Sequence, residues 1–273
     1  MSTKTKISIL GGGNIGSAIA LGLINSKLYK ASEIIITRRK QELLKTFLDK
    51  GFQTSSGNAR AVKDSEIIII AVTPQQLNEL LLEIKEAIDP KRHTVISIVS
   101  GATINEIRKQ LGNDVPVLRV MPNTAIAIQE SMTCISADPK DHGKLEIAKK
   151  IFDALGKSLV IEESLMVPAT ALCACGIAFF LRAIRAASQG GIEIGFHAED
   201  ALLMAAQTAK GAASLLISMG NHPENEVDKV TTPRGCTISG LNQMEHSGFS
   251  SAMIKGIITS AEKAAVLYSP KEN

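Results

Sequence analysis

Apolar residues in the first part of the chain occur in short runs, separated by segments in which they recur at helical spacing. The runs predict strands at Lys6–Leu10, Glu33–Ile36, Glu66–Val72, Thr94–Val99, Val115–Val120, Met132–Ile135 and Ser158–Ile161. After the first run, Ile15, Ile19 and Leu23 recur every four residues, which is the spacing of one helix face. Strands that alternate with helices predict a parallel, doubly wound sheet of the Rossmann type.

The strand pattern ends near Glu163, and the rest of the chain has helical spacing. Residues 164–194 and 198–219 predict long helices, and Cys236–His246 predicts another that Ser247-Gly248 would end. One face of the second helix is small, so we expect this region to pack against a second copy, with ordinary packing inside the chain as the alternative; its alanines are Ala205, Ala206, Ala209, Ala212 and Ala213. The pattern divides the chain into a nucleotide-binding domain, residues 1–162, and an all-α domain, residues 163–273.

A glycine-rich turn directly follows the first predicted strand. Gly11, Gly13 and Gly16 have the spacing of a dinucleotide-binding turn that opens a helix. Such glycines allow a tight turn, close approach of the main chain to a pyrophosphate, and packing of the helix on the strand. The residues expected to contact the cofactor here are Leu10, Gly11, Gly12, Gly13, Asn14, Ile15 and Gly16.

The second predicted strand is followed by Thr37, Arg38, Arg39 and Lys40. An NAD site usually has an acid at this place to bind the ribose 2′-hydroxyl. A hydroxyl and adjacent cations suit a 2′-phosphate instead, so the sequence predicts NADPH as the cofactor, with NADH also possible. A solvated basic turn is the alternative interpretation.

Polar and turn residues also follow three later strands. Ligands of doubly wound sheets bind beyond the carboxyl ends of the strands. We therefore expect further cofactor contacts from Ala71, Val72, Thr73, Pro74, Ser100, Gly101 and Asn123.

A second candidate site precedes the helix at Cys236. Thr232 comes before a proline and Gly235 allows close main-chain approach, while the amides of Gly235, Cys236 and Thr237 would form a free helix N-terminus. A helix N-terminus binds anions, and Thr237 adds a hydroxyl. The segment predicts a site for a small carboxylate, with a capped surface loop as the alternative.

Composition excludes several classes of function. A net charge of +3 and an aromatic content of 3% without tryptophan give no support to nucleic-acid binding. The uncharged stretch Leu165–Leu181 is short for a membrane span and contains Pro168, so we expect a buried helix. The four cysteines have no zinc or disulfide spacing, which indicates the reducing cytosol and no metal site.

These motifs together resemble the pyrroline-5-carboxylate reductase family over nearly the whole chain. The matching segments are Gly11–Gly16, Ala71–Gln75, Val120–Thr124, Ala205–Thr208 and Asp228–Gly240. The resemblance implies a Rossmann domain, an all-α dimerisation domain, and dimers that often assemble into a larger ring. It also implies hydride transfer from a nicotinamide to a cyclic imino acid, giving L-proline.

The resemblance assigns roles to particular residues. Thr237 would bond the ring nitrogen, the amides of residues 235–237 would hold the carboxylate, and Thr232 would lie beside them. Glu163 would lie at the substrate pocket, and Asn58 would contact the adenosine ribose. The cofactor turn and the late helix N-terminus would then serve one reaction.

The chain departs from the family pattern at Thr73, Ala125 and Arg185 and, more extensively, in two segments. The usual Ser-Gly-Ser-Gly-Pro-Ala-Tyr is replaced by Cys173–Phe179, and Arg234 stands where the family has glycine. If position 234 needs a positive φ, arginine costs about 1 kcal/mol or more there. The alternatives are therefore a reductase of another cyclic imine or ketimine carboxylate, or a non-catalytic NADP-binding protein.

Overall fold

The computed structural model describes residues 7–268. Lys6 of the first predicted strand lies outside the described residues, as do the outer ends of both predicted domains. All predicted site residues lie inside that range.

Eight strands form one sheet in the order β3-β2-β1-β4-β5-β6-β7-β8. They are β1 (Ile7–Leu10), β2 (Ile34–Thr37), β3 (Gln53–Ser55), β4 (Ile67–Ile70), β5 (Thr94–Ser97), β6 (Val117–Met121), β7 (Ser131–Ala137) and β8 (Gly156–Val160). The first six are parallel in the Rossmann order, β7 runs antiparallel to β6, and β8 runs parallel to β7. The predicted fold class is confirmed.

Helices connect the strands and then form the rest of the chain. Those among the strands are α1 (Asn14–Asn25), α2 (Lys45–Leu48), α3 (Asn58–Lys63), α4 (Pro74–Ile84), α5 (Ile104–Leu111) and α6 (Leu145–Asp153). Those after the sheet are α7 (Met166–Ala169), α8 (Gly176–Glu193), α9 (Ala198–Met219), α10 (Pro223–Lys229), α11 (Cys236–His246) and α12 (Phe249–Ala265). The single helix predicted at 164–194 is interrupted, because residues 170–175 form a π-helical turn between α7 and α8.

The sheet is covered on both faces by apolar side chains. Ile9 and Ile36 belong to one buried cluster and Leu10 and Ile35 to the other, as alternation along a strand requires. Each fully buried aliphatic side chain stabilises the fold by about 1.5 to 3 kcal/mol. This double burial fixes the strands, and the strands in turn fix the loops at their carboxyl ends.

The described chain contains two compact units. One comprises the residues up to Cys175 together with those from Ser260 onward, and the other is Gly176–Thr259. The domain boundary after residue 162 stays a prediction, because the division into compact units does not settle where the functional domains meet.

The helices of the second unit expose many apolar side chains. Phe180 and Leu181 are 61% and 58% exposed, so the prediction of a buried helix over Leu165–Leu181 is wrong for its second half in the single chain. The stretches Glu163–Glu193 and Ala198–Met219 are long and apolar enough to cross a membrane by length and composition alone. Exposed apolar helix faces also mark surfaces that another protein covers.

Candidate functional site

The first unit contains a cavity of about 550 Å³ at the carboxyl ends of its strands. The predicted cofactor residues that line it are Gly11, Gly12, Gly13, Thr37, Arg38, Arg39, Asn58, Ala71, Val72 and Thr73. The predicted contacts that are not part of this lining are Leu10, Asn14, Ile15, Gly16, Pro74, Ser100, Gly101 and Asn123. The structure therefore brings together residues from the ends of three neighbouring strands, as the strand order requires.

The glycines of the turn after β1 serve different purposes. A Cβ on Gly11 would lie 2.6 Å from the carbonyl oxygen of Ala71, and one on Gly16 would lie 2.1 Å from that of Gly11. By contrast, a Cβ on Gly13 would meet no atom of the described residues within 4 Å. Gly13 also precedes α1 without a side-chain cap, so the helix N-terminus faces open space that a phosphate group fits.

The end of β2 is fixed by a short chain of hydrogen bonds. The Thr37 hydroxyl donates to Asn58 Oδ1 at 2.6 Å. Glu83 accepts from both the main-chain N–H of Asn58, at 2.9 Å, and its side-chain amide, at 2.7 Å. These bonds hold the Asn58 side chain in one orientation at the cavity wall.

Three cations surround the same end of the cavity. Arg38 is anchored, since its Nη1 donates to the carbonyl oxygen of Gly12 at 2.9 Å. Arg39 forms an exposed ion pair with Glu79 at 2.8 Å, and Lys40 also lines the cavity. An exposed pair of this kind contributes about 0 to 1 kcal/mol, so an incoming phosphate can replace Glu79 at little cost. The donor set suits a 2′-phosphate.

Sequence reasoning named Lys40 only as part of the basic turn after β2, and it missed five other residues of the cavity lining, namely Ser56, Gln76, Glu79, Leu80 and Glu83. The last four lie on α4 at spacings of three and four residues, which is one helix face. That face was visible in the sequence, because α4 opens directly after the predicted contacts Thr73 and Pro74. The four could have been inferred from helical periodicity.

A separate group of residues surrounds Glu163, also in the first unit. Glu163 Oε1 accepts from the main-chain N–H of Ile104 at 2.7 Å and from Arg119 Nη1 at 3.1 Å. Arg119 is 3% exposed, and its Nη2 has no hydrogen-bond partner within residues 7–268. Glu163 itself remains partly exposed, with 29% of its side chain accessible. The Ile104 N–H and Arg119 therefore bind one oxygen of this carboxylate, and the rest of the Glu163 side chain is partly accessible.

Two of the predicted contacts outside the cavity lining, Gly101 and Asn123, have clear structural roles. Gly101 has a φ of +88° and its Cα approaches Tyr268 so closely that a Cβ would lie 2.9 Å from the Tyr268 Cβ. Asn123 is buried, its Oδ1 accepts from the N–H of Ala125 at 3.0 Å, and its Nδ2 donates to the Cys173 carbonyl oxygen at 3.4 Å. Neither role excludes contact with a cofactor.

The predicted substrate loop lies in the second unit. α11 begins at Cys236 and ends at His246, as predicted, and Gly235 precedes it without a side-chain cap. The prediction of a free amide at Gly235 is wrong, because this N–H closes the turn by donating to the Thr232 carbonyl oxygen at 2.9 Å. A Cβ on Gly235 would lie 2.6 Å from Thr232 Oγ1, so this glycine is required by the loop itself. Arg234 has a φ of +59°, which confirms the conditional prediction of strain at that position.

Comparisons with known proteins agree with this architecture. Residues 163–267 match the family model for pyrroline-5-carboxylate reductase dimerisation, and residues 6–101 match that of NADP oxidoreductases, coenzyme F420-dependent. The chain is 55% identical to pyrroline-5-carboxylate reductase 1 of Dictyostelium discoideum over 97% of its own length, but it spans only 50% of that protein.

Two further comparisons extend over whole chains. Pyrroline-5-carboxylate reductase 2 of the same organism is 49% identical, with 97% of this chain and 94% of the relative covered. The structure of a pyrroline-5-carboxylate reductase from Coxiella burnetii superposes with a TM-score of 0.88 at 26% identity, covering 98% of this chain and all of the other. The chain belongs to the pyrroline-5-carboxylate reductase family.

Proposed function

We propose that this protein reduces 1-pyrroline-5-carboxylate to L-proline with NADPH, the last step of proline biosynthesis. The observation that carries the proposal is the cavity at Gly11–Gly13 with its basic edge, in a chain of this family. The proposal assigns this cavity to the nucleotide and the loop before α11 to the imino acid.

The nucleotide would be held by main-chain groups and cations. The amides at the start of α1 would bind the pyrophosphate, and Asn58, oriented by Thr37 and Glu83, would bond the adenosine ribose. Arg38 and Arg39 would bind the 2′-phosphate. Ser100, Gly101 and Asn123 would line the nicotinamide end. When bound, the cofactor supplies a hydride from its nicotinamide ring.

The imino acid would be held through its carboxylate and its ring nitrogen. The amides of Cys236 and Thr237 in the first turn of α11 suit a carboxylate, whereas the Gly235 N–H already donates to the Thr232 carbonyl oxygen at 2.9 Å. The Thr237 hydroxyl would bond the ring nitrogen, with Thr232 beside it. Glu163 would face the substrate with the part of its carboxylate that Arg119 and Ile104 leave accessible.

The chemistry requires positioning more than a strong acid. The C=N carbon accepts a hydride best when the ring nitrogen is protonated, and reduction then gives a secondary amine directly. Thr237 would orient this nitrogen, while the contacts to the carboxylate would determine which ring carbon faces the nicotinamide. Orientation of this kind can supply much of the rate enhancement.

The decisive experiment follows NADPH oxidation by the purified protein with 1-pyrroline-5-carboxylate. We expect Thr237→Ala to lower kcat/KM by about 10- to 100-fold, the effect of losing a hydrogen bond to a charged group. Thr231→Ala is the matched control, because the Thr231 hydroxyl bonds the carbonyl oxygen of Val227 instead. Unchanged turnover in the Thr237 variant would remove that residue from its role.

Cofactor preference tests the basic edge separately. We expect Arg39→Ala to raise the KM for NADPH while leaving that for NADH nearly unchanged, because only NADPH carries the 2′-phosphate. Equal effects on both cofactors would contradict this assignment.

The strained Arg234 supports one rival substrate class. Its side chain is exposed in the loop before α11 and carries a positive charge where the family has glycine. A substrate with a second carboxylate would use that charge. A panel of cyclic imino acids, assayed with the parent protein and with Arg234→Gly, distinguishes the two, since a preference for dicarboxylates that the variant loses favours the rival.

The same proposal includes assembly and location. We propose a homodimer formed through the helical unit, with dimers able to join into a larger ring, acting in the cytosol. Light scattering of the purified protein measures its oligomeric state, and imaging of a tagged chain in cells shows its location. Tight NADPH binding without turnover of any imino acid would instead indicate a non-catalytic NADP-binding protein.

A further inference from the structure

Two cysteines meet beside the predicted nicotinamide end, in a place that sequence spacing did not reveal. Cys134 lies on β7 and is 3% exposed, while Cys173 lies in the π-helical turn of residues 170–175 and is only partly buried. Cys134 belongs to a small buried apolar cluster with Met121 and Met166, and Cys173 packs against that cluster. π-helical turns are rare and are often found at functional sites.

The two thiols differ in chemical state. A hydrogen bond from the Cys134 thiol lowers the pKa of Cys173 to about 7, although burial acts in the opposite direction. The same hydrogen bond, followed by burial, raises the pKa of Cys134. Near neutral pH, Cys173 is thus a partly ionised, reachable sulfur with a protonated thiol as its neighbour, and the thiolate is the reactive form of cysteine.

We propose that Cys173 is an oxidative modification site that reacts with hydroperoxides and then forms a disulfide with Cys134. The Cys173 thiolate attacks one peroxide oxygen, so that an S–O bond forms, the O–O bond breaks, and the leaving alkoxide takes a proton to give an alcohol or water. The Cys134 sulfur then attacks the sulfenic sulfur, the S–O bond breaks, and the departing hydroxide takes the Cys134 proton as water. Two thiols lose two electrons in total, and one peroxide gains them.

The disulfide would affect the reaction through Asn123. The Asn123 side chain donates to the main-chain carbonyl of Cys173, and its main-chain N–H bonds the Ser131 hydroxyl at 3.1 Å. Tying Cys173 to β7 therefore constrains the turn that contacts Asn123. The expected loss of activity rests on the proposed function, whereas the disulfide itself does not.

The test treats the reduced, full-length protein with hydrogen peroxide and maps its cysteines by mass spectrometry. We expect the loss of two hydrogens, a peptide linking Cys134 to Cys173, and a fall in activity of at least fivefold that dithiothreitol reverses. Cys173→Ser and Cys134→Ala should form no such link and should keep their activity in peroxide. Cys175→Ser is the matched control, because Cys175 lies two residues away in the same turn and its variant should still form the link.

Each possible result bears on a different part of the proposal. First oxidation at Cys175 or Cys236, or oxidation of Cys173 without a link to Cys134, would overturn the proposal. If the link forms but the protein never reduces an imino acid, the modification site stands and the proposed function fails. If the link forms in an active enzyme without lowering its activity, the proposed effect through Asn123 is wrong.

Alkylation at pH 7 gives an independent measurement of the same pair. We expect iodoacetamide to label Cys173 before the more exposed Cys236, and Cys134→Ala to slow that labelling roughly tenfold by removing the hydrogen bond that favours the thiolate. Equal labelling rates in the parent and the variant would contradict the assigned role of Cys134.

Discussion

The sheet unit and the helical unit bury their apolar residues in different ways. Large aliphatic side chains fill both faces of the sheet, and many of them are completely inaccessible. In Gly176–Thr259, which the structure describes throughout, the buried residues are only Gly176, Ser188 and Ala201. Leu203 and Ile217 on α9 are each 69% exposed. The first unit supplies its own core, whereas the second exposes apolar surfaces that the proposed dimer would cover.

Breaking the ion pairs of the buried Arg108 in the first unit should produce the largest effect. Arg108 is 5% exposed and bonds both Asp138 and Asp141. Arg108→Ala would leave these carboxylates without their cation, and removing one partner of a buried pair costs about 3 to 5 kcal/mol. We expect that fall in the free energy of unfolding, measured with urea.

Lys149→Ala is the control for this change. Its partner Glu146 lies 3.5 Å away in an exposed pair, so its loss should cost less than about 1 kcal/mol. Similar losses in the two variants would mean that the core of the first unit does not depend on this network.

The second-largest effect is expected from a charge on the exposed apolar face of α9, which should weaken self-association. In the proposed twofold dimer, which would cover Leu203, the change Leu203→Glu would remove one covered leucine from each copy, at about 1.5 to 3 kcal/mol per side chain. The dimer should therefore dissociate at roughly 100-fold higher concentration or more, as followed by light scattering over a dilution series.

The first unit offers a matched site for this comparison. Leu82 on α4 is 66% exposed, nearly the same as Leu203, but it belongs to the unit with its own core. Leu82→Glu should leave the dimer intact. Dissociation of that variant, or an unaffected Leu203→Glu protein, would show that the two surfaces do not differ as proposed.

The same difference explains what sequence reasoning could and could not reach. Runs such as Ile34–Ile36 predicted the sheet, because a strand buried on both faces must be continuously apolar. β3 was missed, since Gln53–Ser55 is short and polar. The exposure of α8 could not be predicted, because a single sequence does not show whether an apolar face is covered by its own chain or by another.

The candidate sites also divide into features with a local sequence pattern and features that depend on packing between distant segments. The glycine turn is contiguous in sequence and was predicted directly. Glu79 and Glu83 could have been inferred from the helical periodicity of α4, whereas the contact between Cys134 and Cys173 depends on how β7 packs against a π-helical turn. Features that tertiary packing creates between distant segments have no local signal.

Acidic pH should destabilise the first unit through its buried histidine. Burial lowers the pKa of His93, and nearby Arg92 adds to this, against smaller effects of Asp89, Ser65 and Glu66. The unfolded chain then binds a proton more readily than the folded one. The stabilisation is complete above about pH 6.5 and is lost as the pH falls below it, with a slope of at most about 1.4 kcal/mol per pH unit.

Urea unfolding at pH 7 and pH 5 measures this contribution. The N–H of Asp89 donates to His93 Nδ1 at 2.9 Å, and His93→Asn keeps an acceptor near that N–H. We expect this variant to reduce the difference in the free energy of unfolding between the two pH values. His142→Asn, at an exposed position, should leave that difference unchanged. An unchanged difference in the His93 variant would place the pH sensitivity elsewhere.

The smallest effect concerns the end of the described chain, which belongs to the first unit although it follows the helical one. Tyr268 is 7% exposed, and its hydroxyl donates to Asn78 Oδ1 at 2.8 Å, an atom that also accepts from Gln110 Nε2 at 2.7 Å. Tyr268→Phe keeps the ring against Gly101 and removes one hydrogen bond, so we expect a loss of about 1 kcal/mol in the free energy of unfolding. A double-mutant cycle with Asn78→Ala isolates that bond, because the Tyr268 change should cost almost nothing once Asn78 is gone. Additive losses would show that Tyr268 holds this segment by packing alone, and that its hydroxyl does not join the chain end to α4.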